Sequence, residues 1–323
     1  MKRYYLILLS AIVAISSVAC SSRQQKSVAD APADSAENSS VKVPTERVFM
    51  PALAPAMLPQ RDKVLYMNEH YWDKFDFADT LFIKEVELNR MLTAMAVYVE
   101  GYMPDSLARS SMSRLLSKAS TSKTMFDYFL MLAERVLHDP NSPFRNDERY
   151  IPVLENAIAS PLLDEYEKMP LVYDLQIAMQ NRIGRKANDF VYTLADGRRG
   201  NMHKIKAEYL LIFFSNPGCN MCGGVRDDIL ASPMLNELTE RGKLKVLVLY
   251  PDQELDAWRE HLGDYPSAWI NSYDQAQSIT KERTYDLRAI PALYLLDNQK
   301  QVMAKDCTDV SYIESLILQA EQS

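Results

Sequence analysis

The spacing of apolar side chains divides the chain into a helical part and a part that mixes strands with helices. Between residues 61 and 185, apolar positions recur every three or four residues, as at Leu88, Met91, Leu92 and Met95. This period is that of one face of an amphipathic helix. The stretch shows no strand-like alternation, so we predict an all-helical domain over residues 61–185.

Proline, glycine and capping residues predict where these helices begin and end. Two of the helices are expected at about 148–159 and 161–168. Pro170 suits the first turn of a further helix, because proline lacks the N–H that an interior position needs, and Gly184 would close that helix. His138 stands just before a helix break, where we expect a positive charge that complements the helix dipole.

From residue 188 the pattern changes to that of an α/β domain. The segment 189–194 alternates like a strand, and the runs 209–214 and 244–250 are almost entirely apolar, as buried parallel strands are. Further strands are predicted near Met202 and at 268–270, 292–296 and 301–304, and helices at 221–230, 233–240, 254–262, 275–282 and 310–319. This order predicts a mixed sheet between helices over residues 186–323.

Residues 1–20 are predicted to be a signal segment. A basic start precedes an apolar run that is too short to span a bilayer comfortably. The sequence Ser-Val-Ala-Cys that ends at Cys20 resembles the lipobox of bacterial lipoproteins, which implies lipidation of Cys20 and attachment to a membrane. The alternative is a plain signal peptide cut after Ala19.

Either kind of signal takes the chain out of the cytoplasm, where disulfide chemistry is available. Residues 21–60 then form a flexible tether, since their Ser, Ala, Asp and Gln side chains leave little to bury. We expect a lipid-anchored, extracytoplasmic protein of the cell envelope, facing the periplasm rather than the cell surface.

Charge and cysteine content narrow the possible functions. A formal net charge of −7, without a run of Lys or Arg, gives no sign of nucleic-acid binding. The four cysteines are too few to staple a chain of 323 residues, so function has to lie in particular thiols. No cofactor is expected.

Cys219 and Cys222 are the candidate reactive thiols. They follow the apolar run 209–214 and a Ser-Asn-Pro-Gly turn. In the first turn of a helix, both thiols lie near free backbone N–H groups that stabilise a thiolate. A Cys-x-x-Cys pair directly after a buried strand is typical of redox motifs rather than zinc sites.

Two other kinds of thiol-based site, a zinc site and a peroxidase site, fit the sequence less well. A zinc site needs about four ligands, and only Cys307 and His203 could join the pair, without a second spaced pair, so we predict no metal site. A peroxidase of the peroxiredoxin type expects Thr or Ser three residues before its cysteine, where this chain has Asn216. Cys307 is predicted to be a small buried hydrophobe.

A second motif supports the redox interpretation. Ala289-Ile290-Pro291 stands directly before the predicted strand 292–296. With the Cys-x-x-Cys and this order of elements, residues 186–323 resemble the thioredoxin fold, and within it the TlpA/ResA-like extracytoplasmic group. The helical part resembles a domain of unknown function that often precedes such modules in lipoproteins.

This resemblance implies roles for individual residues. Cys219 would attack a substrate disulfide and Cys222 would resolve the mixed disulfide. Pro291 would be a cis-proline, and the backbone of Ile290, together with Pro217 in the loop before the cysteines, would bind an extended substrate chain.

The implied function is a membrane-tethered thiol–disulfide oxidoreductase, more a reductant than an oxidant. Its partners would be protein disulfides and an upstream electron donor in the envelope. The alternative is a non-catalytic thioredoxin-fold module that keeps a static Cys219–Cys222 disulfide and binds partners through its helical domain.

Three features depart from the usual thioredoxin pattern. The aromatic residue usually found ahead of the first cysteine is replaced by Asn216-Pro217-Gly218. Phe213 occupies the place of a buried acid, so we expect either slow activity or a water that moves the proton. Gly223 and Gly224 loosen the helix beside the motif. No basic side chain lies between the two cysteines, and Arg226, one turn on, is the candidate helper.

Overall fold

The computed structural model describes residues 47–322 of the chain. The predicted signal segment 1–20, the lipidation site Cys20 and the predicted tether up to residue 46 lie outside these residues. Within the described part, no helix is long and apolar enough to cross a membrane.

The first part of the described chain is helical, as predicted. Its helices are α1 Gln60–His70, α2 Phe82–Glu85, α3 Leu88–Tyr102, α4 Ala108–Ala119, α5 Lys123–Leu137, α6 Asp147–Ala159 and α7 Glu165–Ala178. Their apolar faces meet in one core, in which Met91, Met95, Phe129 and Leu154 are fully buried. The three- and four-residue apolar steps of the sequence therefore mark the buried faces.

The prediction that a separate helix starts at Pro170 is wrong. Asp164 caps α7 by accepting a hydrogen bond from the Glu167 N–H, and the Glu167 side chain accepts from the Asp164 N–H in return. This capping box starts the helix at Glu165, five residues before the proline. Pro170 is exposed, so water can satisfy the carbonyl that loses its helix hydrogen bond.

The second part of the chain forms the predicted mixed sheet. Within residues 47–322 the sheet has seven strands in the order β2-β1-β5-β4-β3-β6-β7. The strands are β1 Val191–Leu194, β2 Arg199–Asn201, β3 Tyr209–Phe214, β4 Leu244–Tyr250, β5 Ile270–Tyr273, β6 Ala292–Leu296 and β7 Val302–Cys307. Central β3 runs parallel to β4 and antiparallel to β6.

Helices cover both faces of this sheet. They are α8 Asn220–Ala231, α9 Pro233–Glu240, α10 Leu255–Glu260, α11 Ser278–Glu282 and α12 Val310–Glu321. Leu211 and Phe213 of β3 pack on the side of α8, α9 and α12, whereas Leu210, Ile212 and Phe214 pack on the side of α11. Because successive side chains of a strand point to opposite faces, a continuous apolar strand needs cover on both.

Strands β1 and β7 differ from the predicted 189–194 and 301–304 only at their ends, and two further strands lie at other residues than predicted. Met202 begins a 3₁₀ turn, Met202–Lys204, and β2 lies just before it. The fifth strand is β5 rather than residues 268–270, because the polar Asn271 and Ser272 belong to it. Both side chains find a partner inside the fold: the Ser272 hydroxyl donates to the Val248 carbonyl, and the Asn271 amide oxygen accepts from the Trp258 ring N–H. The predicted domain bounds at residues 60 and 185 stay predictions.

Two ion pairs join the helical part to the sheet part. The cation belongs to the helical part in one pair and to the sheet part in the other. Arg145 lies 2.7 Å from Asp306, and Lys305 lies 2.7 Å from Asp147. All four side chains are at most 12% exposed. Each part thus contributes one cation and one anion. Lys305 also donates to the carbonyls of Ala178, the last residue of α7, and of Gln180.

Candidate functional site

The loop between β3 and α8 places Cys219 at the start of a helix. Gly218 has a φ of +68°, a left-handed conformation that favours glycine, and it turns the chain into α8. Cys219 is the N-cap of α8, and its Sγ accepts a hydrogen bond from the backbone N–H of Cys222 at 3.4 Å. The thiol therefore takes the place that Ser or Asp usually fills at a helix start.

The surroundings of the two thiols separate their acidities. Burial tends to raise the pKa of Cys219, but hydrogen bonds from the Cys222 thiol and from the N–H groups of Cys222 and Met221 outweigh it, and the pKa is lowered. Cys222 is 1% exposed, and its burial, with the hydrogen bond to Cys219, raises the pKa of its thiol to about 11. Cys219 is thus the more exposed thiol and the better thiolate.

Two hydroxyl groups, those of Ser215 and Tyr265, lie next to Cys222. Neither of them was identified from the sequence. Hydrogen bonding by the Ser215 side chain favours the Cys222 thiolate and partly offsets its burial. The Ser215 hydroxyl is in turn 2.6 Å from the Tyr265 hydroxyl. Tyr265 also packs its ring against Phe213, the residue at the position of the missing acid. Polar groups are therefore present at this position, although no acid is.

The segment before β6 lies at the same edge of the sheet. Phe214, the last residue of β3, pairs with Ala292, the first residue of β6. The peptide bond between Ile290 and Pro291 is cis, as the resemblance implied. Ile290 packs against the same core cluster as both cysteines.

The backbone of Ile290 remains available for a ligand. In the described chain, neither its N–H nor its carbonyl has a hydrogen-bond partner. Pro217, the other predicted substrate-binding residue, lines a cavity of about 360 Å³ together with Tyr250, Asp252 and Glu254. The predicted site residues of the sheet domain thus surround the end of β3.

The other residues that the sequence singled out, Arg226, Cys307 and His203, make different contacts. Arg226 is paired with Asp227 at 2.8 Å and is not among the groups that shift the pKa of Cys219. Cys307 packs at the rim of the cluster that holds Cys222, and burial raises the pKa of its thiol to about 12. His203 bonds the Ala187 carbonyl at 2.8 Å. Over residues 47–322, no three His, Cys, Asp or Glu side chains are grouped to hold a metal ion.

Comparison with known proteins supports this domain arrangement. A family model described as a domain of unknown function (DUF5106) matches residues 19–181. The crystal structure of a thioredoxin-like protein from Bacteroides caccae is 40% identical over 84% of this chain and 98% of its own, with a TM-score of 0.78. The chain therefore has a helical domain that is followed by a domain of thioredoxin-like fold. None of the curated proteins matches the chain.

Two structures from Bacteroides fragilis each match less than half of the chain. One is the C-terminal domain of an uncharacterized protein, with 45% identity, coverage of 43% of this chain and 98% of its own, and a TM-score of 0.42. The other is a conserved protein of unknown function, with 35% identity, coverage of 42% and 98%, and a TM-score of 0.41.

Proposed function

The chain belongs to the DUF5106 family and carries a thioredoxin-like domain behind its helical domain, and from this we propose that it is a thiol–disulfide oxidoreductase. The observation that carries the proposal is that two neighbouring thiols differ in burial and in pKa. Cys219 is half-buried at a helix start with a lowered pKa, and Cys222 is buried with a pKa raised to about 11. Such a pair has one thiol suited to attack and one protected for the second step.

The reaction proceeds in two exchanges. The Cys219 thiolate attacks one sulfur of a substrate disulfide, that disulfide bond breaks, and the leaving sulfur takes up a proton. Cys222 then loses its proton and attacks Cys219, which releases the second substrate thiol and leaves a Cys219–Cys222 disulfide. An upstream dithiol donor of the cell envelope has to reduce this disulfide before the next turnover.

Substrate binding is assigned to the segment that faces the thiols. The free backbone N–H and carbonyl of Ile290 can pair with an extended chain, as an added strand does, while Pro291 and Pro217 border the place of the substrate sulfur. We therefore propose protein disulfides as substrates. The TlpA/ResA-like resemblance supports a reductant rather than an oxidant.

The proposed location is the periplasmic side of a membrane, with the chain anchored by a lipid on Cys20. Support comes from the lipobox-like Ser-Val-Ala-Cys sequence and the polar stretch behind it. After lipidation this stretch would act as a tether. The sheet domain would then work at some distance from the membrane surface.

Trapping tests the catalytic proposal. Replacing Cys222 with Ser removes the resolving thiol, so native envelopes should yield mixed disulfides on Cys219 that a reductant releases. The matched variant Cys219→Ser should trap nothing. Membrane fractions of the same envelopes should hold the protein, as lipidation of Cys20 requires. Absence of any trapped protein would contradict the enzymatic role.

A redox titration of the purified protein tests the direction. Alkylation of Cys219 and Cys222 in buffers of defined potential gives the midpoint. Roughly −200 to −270 mV fits a reductase or isomerase, and roughly −120 mV would make the protein an oxidant. A midpoint below about −300 mV would favour the static disulfide and the binding-module alternative.

A further inference from the structure

The segment that leads into the proposed substrate-binding residues is fastened to the helical domain. Residues 283–290 connect α11 to β6. The Arg283 guanidinium lies 5.2 Å from the centre of the Tyr173 ring of α7. The Thr284 carbonyl accepts a hydrogen bond from the Asn181 side chain at 2.7 Å. The first half of the segment thus rests on α7 and the residues just after it.

The strongest of these contacts lies close to Ile290. Arg288 is held on one side by Asp286, which receives hydrogen bonds from Nε at 2.9 Å and from Nη2 at 2.6 Å. On the other side, Arg288 Nη1 lies 2.5 Å from Nε2 of His138, at the end of α5. A bidentate carboxylate fixes the guanidinium plane, so the direction of the third N–H toward His138 is fixed as well.

This contact decides the state of His138. A guanidinium only donates, so the imidazole has to accept through Nε2 and is therefore neutral. Burial, followed by the charge of Arg288, lowers the pKa of His138. The prediction that His138 carries a charge complementing the helix dipole is therefore wrong. Its ring is 8% exposed and stacks on Tyr150, with centroids 4.4 Å apart.

The imidazole is not explained by packing alone. With Nε2 as acceptor, the ring proton is on Nδ1, which is buried and has no partner among the described residues. A phenyl ring would stack on Tyr150 without burying an unsatisfied N–H. The hydrogen bond to Arg288 is therefore what a histidine adds at this position.

We propose that His138 is a positioning residue of the redox site, acting through Arg288 on the backbone of Ile290. The inference rests on the proposed oxidoreductase function and gives the helical domain a part in it. An extended substrate chain that pairs with Ile290 can present its disulfide to Cys219 only if the segment is held in place. A small disulfide that does not pair with the segment should not depend on this contact.

The test compares a protein disulfide with a small one. In full-length His138→Phe the ring still stacks on Tyr150, but the acceptor is lost. We expect KM for insulin disulfides to rise roughly 10-fold, the size of one charge-assisted hydrogen bond. The kcat, the reaction rate with dithiobisnitrobenzoate and the midpoint potential should stay unchanged. His138→Gln, whose amide oxygen can accept from Arg288, should restore much of the affinity.

A matched control is available in the same domain. The His70 ring also packs on a tyrosine, Tyr66, with centroids 4.3 Å apart and the planes tilted by 35°, and among residues 47–322 its hydrogen bond is to Asp73 of the helical part. His70→Phe should leave KM for insulin unchanged. An unchanged KM in His138→Phe, or equal losses toward both disulfides, would overturn the inference. A wild-type protein that reduces neither disulfide would instead reject the proposed function.

Discussion

The thiols of Cys219 and Cys222 differ in pKa because one short loop places them beside different groups. The Ser-Asn-Pro-Gly turn delivers Cys219 to the free N–H groups of α8, while the helix turns Cys222 inward. Burial opposes ionisation at both thiols, and the hydrogen bonds decide which one ionises. In the proposed reaction Cys222 still has to lose its proton, and the groups at hand are Ser215 and Tyr265.

Tyr265→Phe should slow the second exchange. The hydroxyl of Tyr265 holds that of Ser215, whose hydrogen bond favours the Cys222 thiolate. Losing one net hydrogen bond of about 1 kcal/mol should slow release of the mixed disulfide roughly 5-fold. Single-turnover release of a labelled substrate from Cys219 measures this step. Alkylation of Cys219 should keep its rate.

Tyr294→Phe is the matched control for this prediction. Tyr294 is fully buried on the other face of the sheet, and its hydroxyl has no hydrogen-bond partner in the described chain. Its removal should leave release unchanged. Equal release rates in wild type and Tyr265→Phe would show that the proton leaves Cys222 by another route, such as the water expected from the sequence.

At the scale of elements, the sequence predicted best those strands that are apolar over almost their whole length. Strands β3, β4 and β6 begin and end where the sequence predicted, at 209–214, 244–250 and 292–296. All three lie inside the sheet with helices covering its faces, so burial selects apolar side chains at every position except the half-buried Lys245 of β4. The loop after β3 and the segment before β6 were therefore placed correctly.

Elements with polar residues or unusual prolines were harder to predict. Ser272 lies in β5 because a carbonyl of the next strand satisfies its hydroxyl, a partner that no local pattern reveals. Helix α7 contains Pro170 because a capping box starts it earlier. Tyr265 and His138 were missed as functional candidates for a related reason. Their partners, Ser215 and Arg288, lie 50 and 150 residues away along the chain.

At the scale of the molecule, the contact between the domains selects one arrangement. Arg145 faces Asp306 and Asp147 faces Lys305, so a shift that pairs the wrong ends would bring like charges together. The two cross-domain pairs are almost fully buried, so the cost of desolvating their charges offsets much of their mutual attraction. Lys305 and Asp306 of these pairs belong to β7. This strand pairs with β6, which follows the segment that carries Arg288.

Asp306 makes this contact dependent on pH. Burial raises the pKa of its carboxyl to about 7, above the value of 3.8 in an unfolded chain, although Arg145 lies 2.7 Å away. Between these two values the folded protein binds the proton more tightly than the unfolded chain does. The contribution of Asp306 to the free energy of unfolding is therefore fully present below pH 3.8 and is lost as pH rises toward 7, by at most about 1.4 kcal/mol per pH unit.

Asp306→Asn isolates this contribution, because asparagine does not titrate. In urea unfolding from about pH 4 to pH 7, the stability of wild type relative to the variant should fall with rising pH. Asp286→Asn is the control with the opposite sign: although burial raises the pKa of Asp286, the hydrogen bonds and charge of Arg288 outweigh this and lower it. Its difference from wild type should stay flat above about pH 5, where Asp286 is ionised in both states, and should not fall as pH rises. A difference for Asp306→Asn that rises with pH would mean that Arg145 outweighs burial and that the carboxyl is already charged in the folded contact.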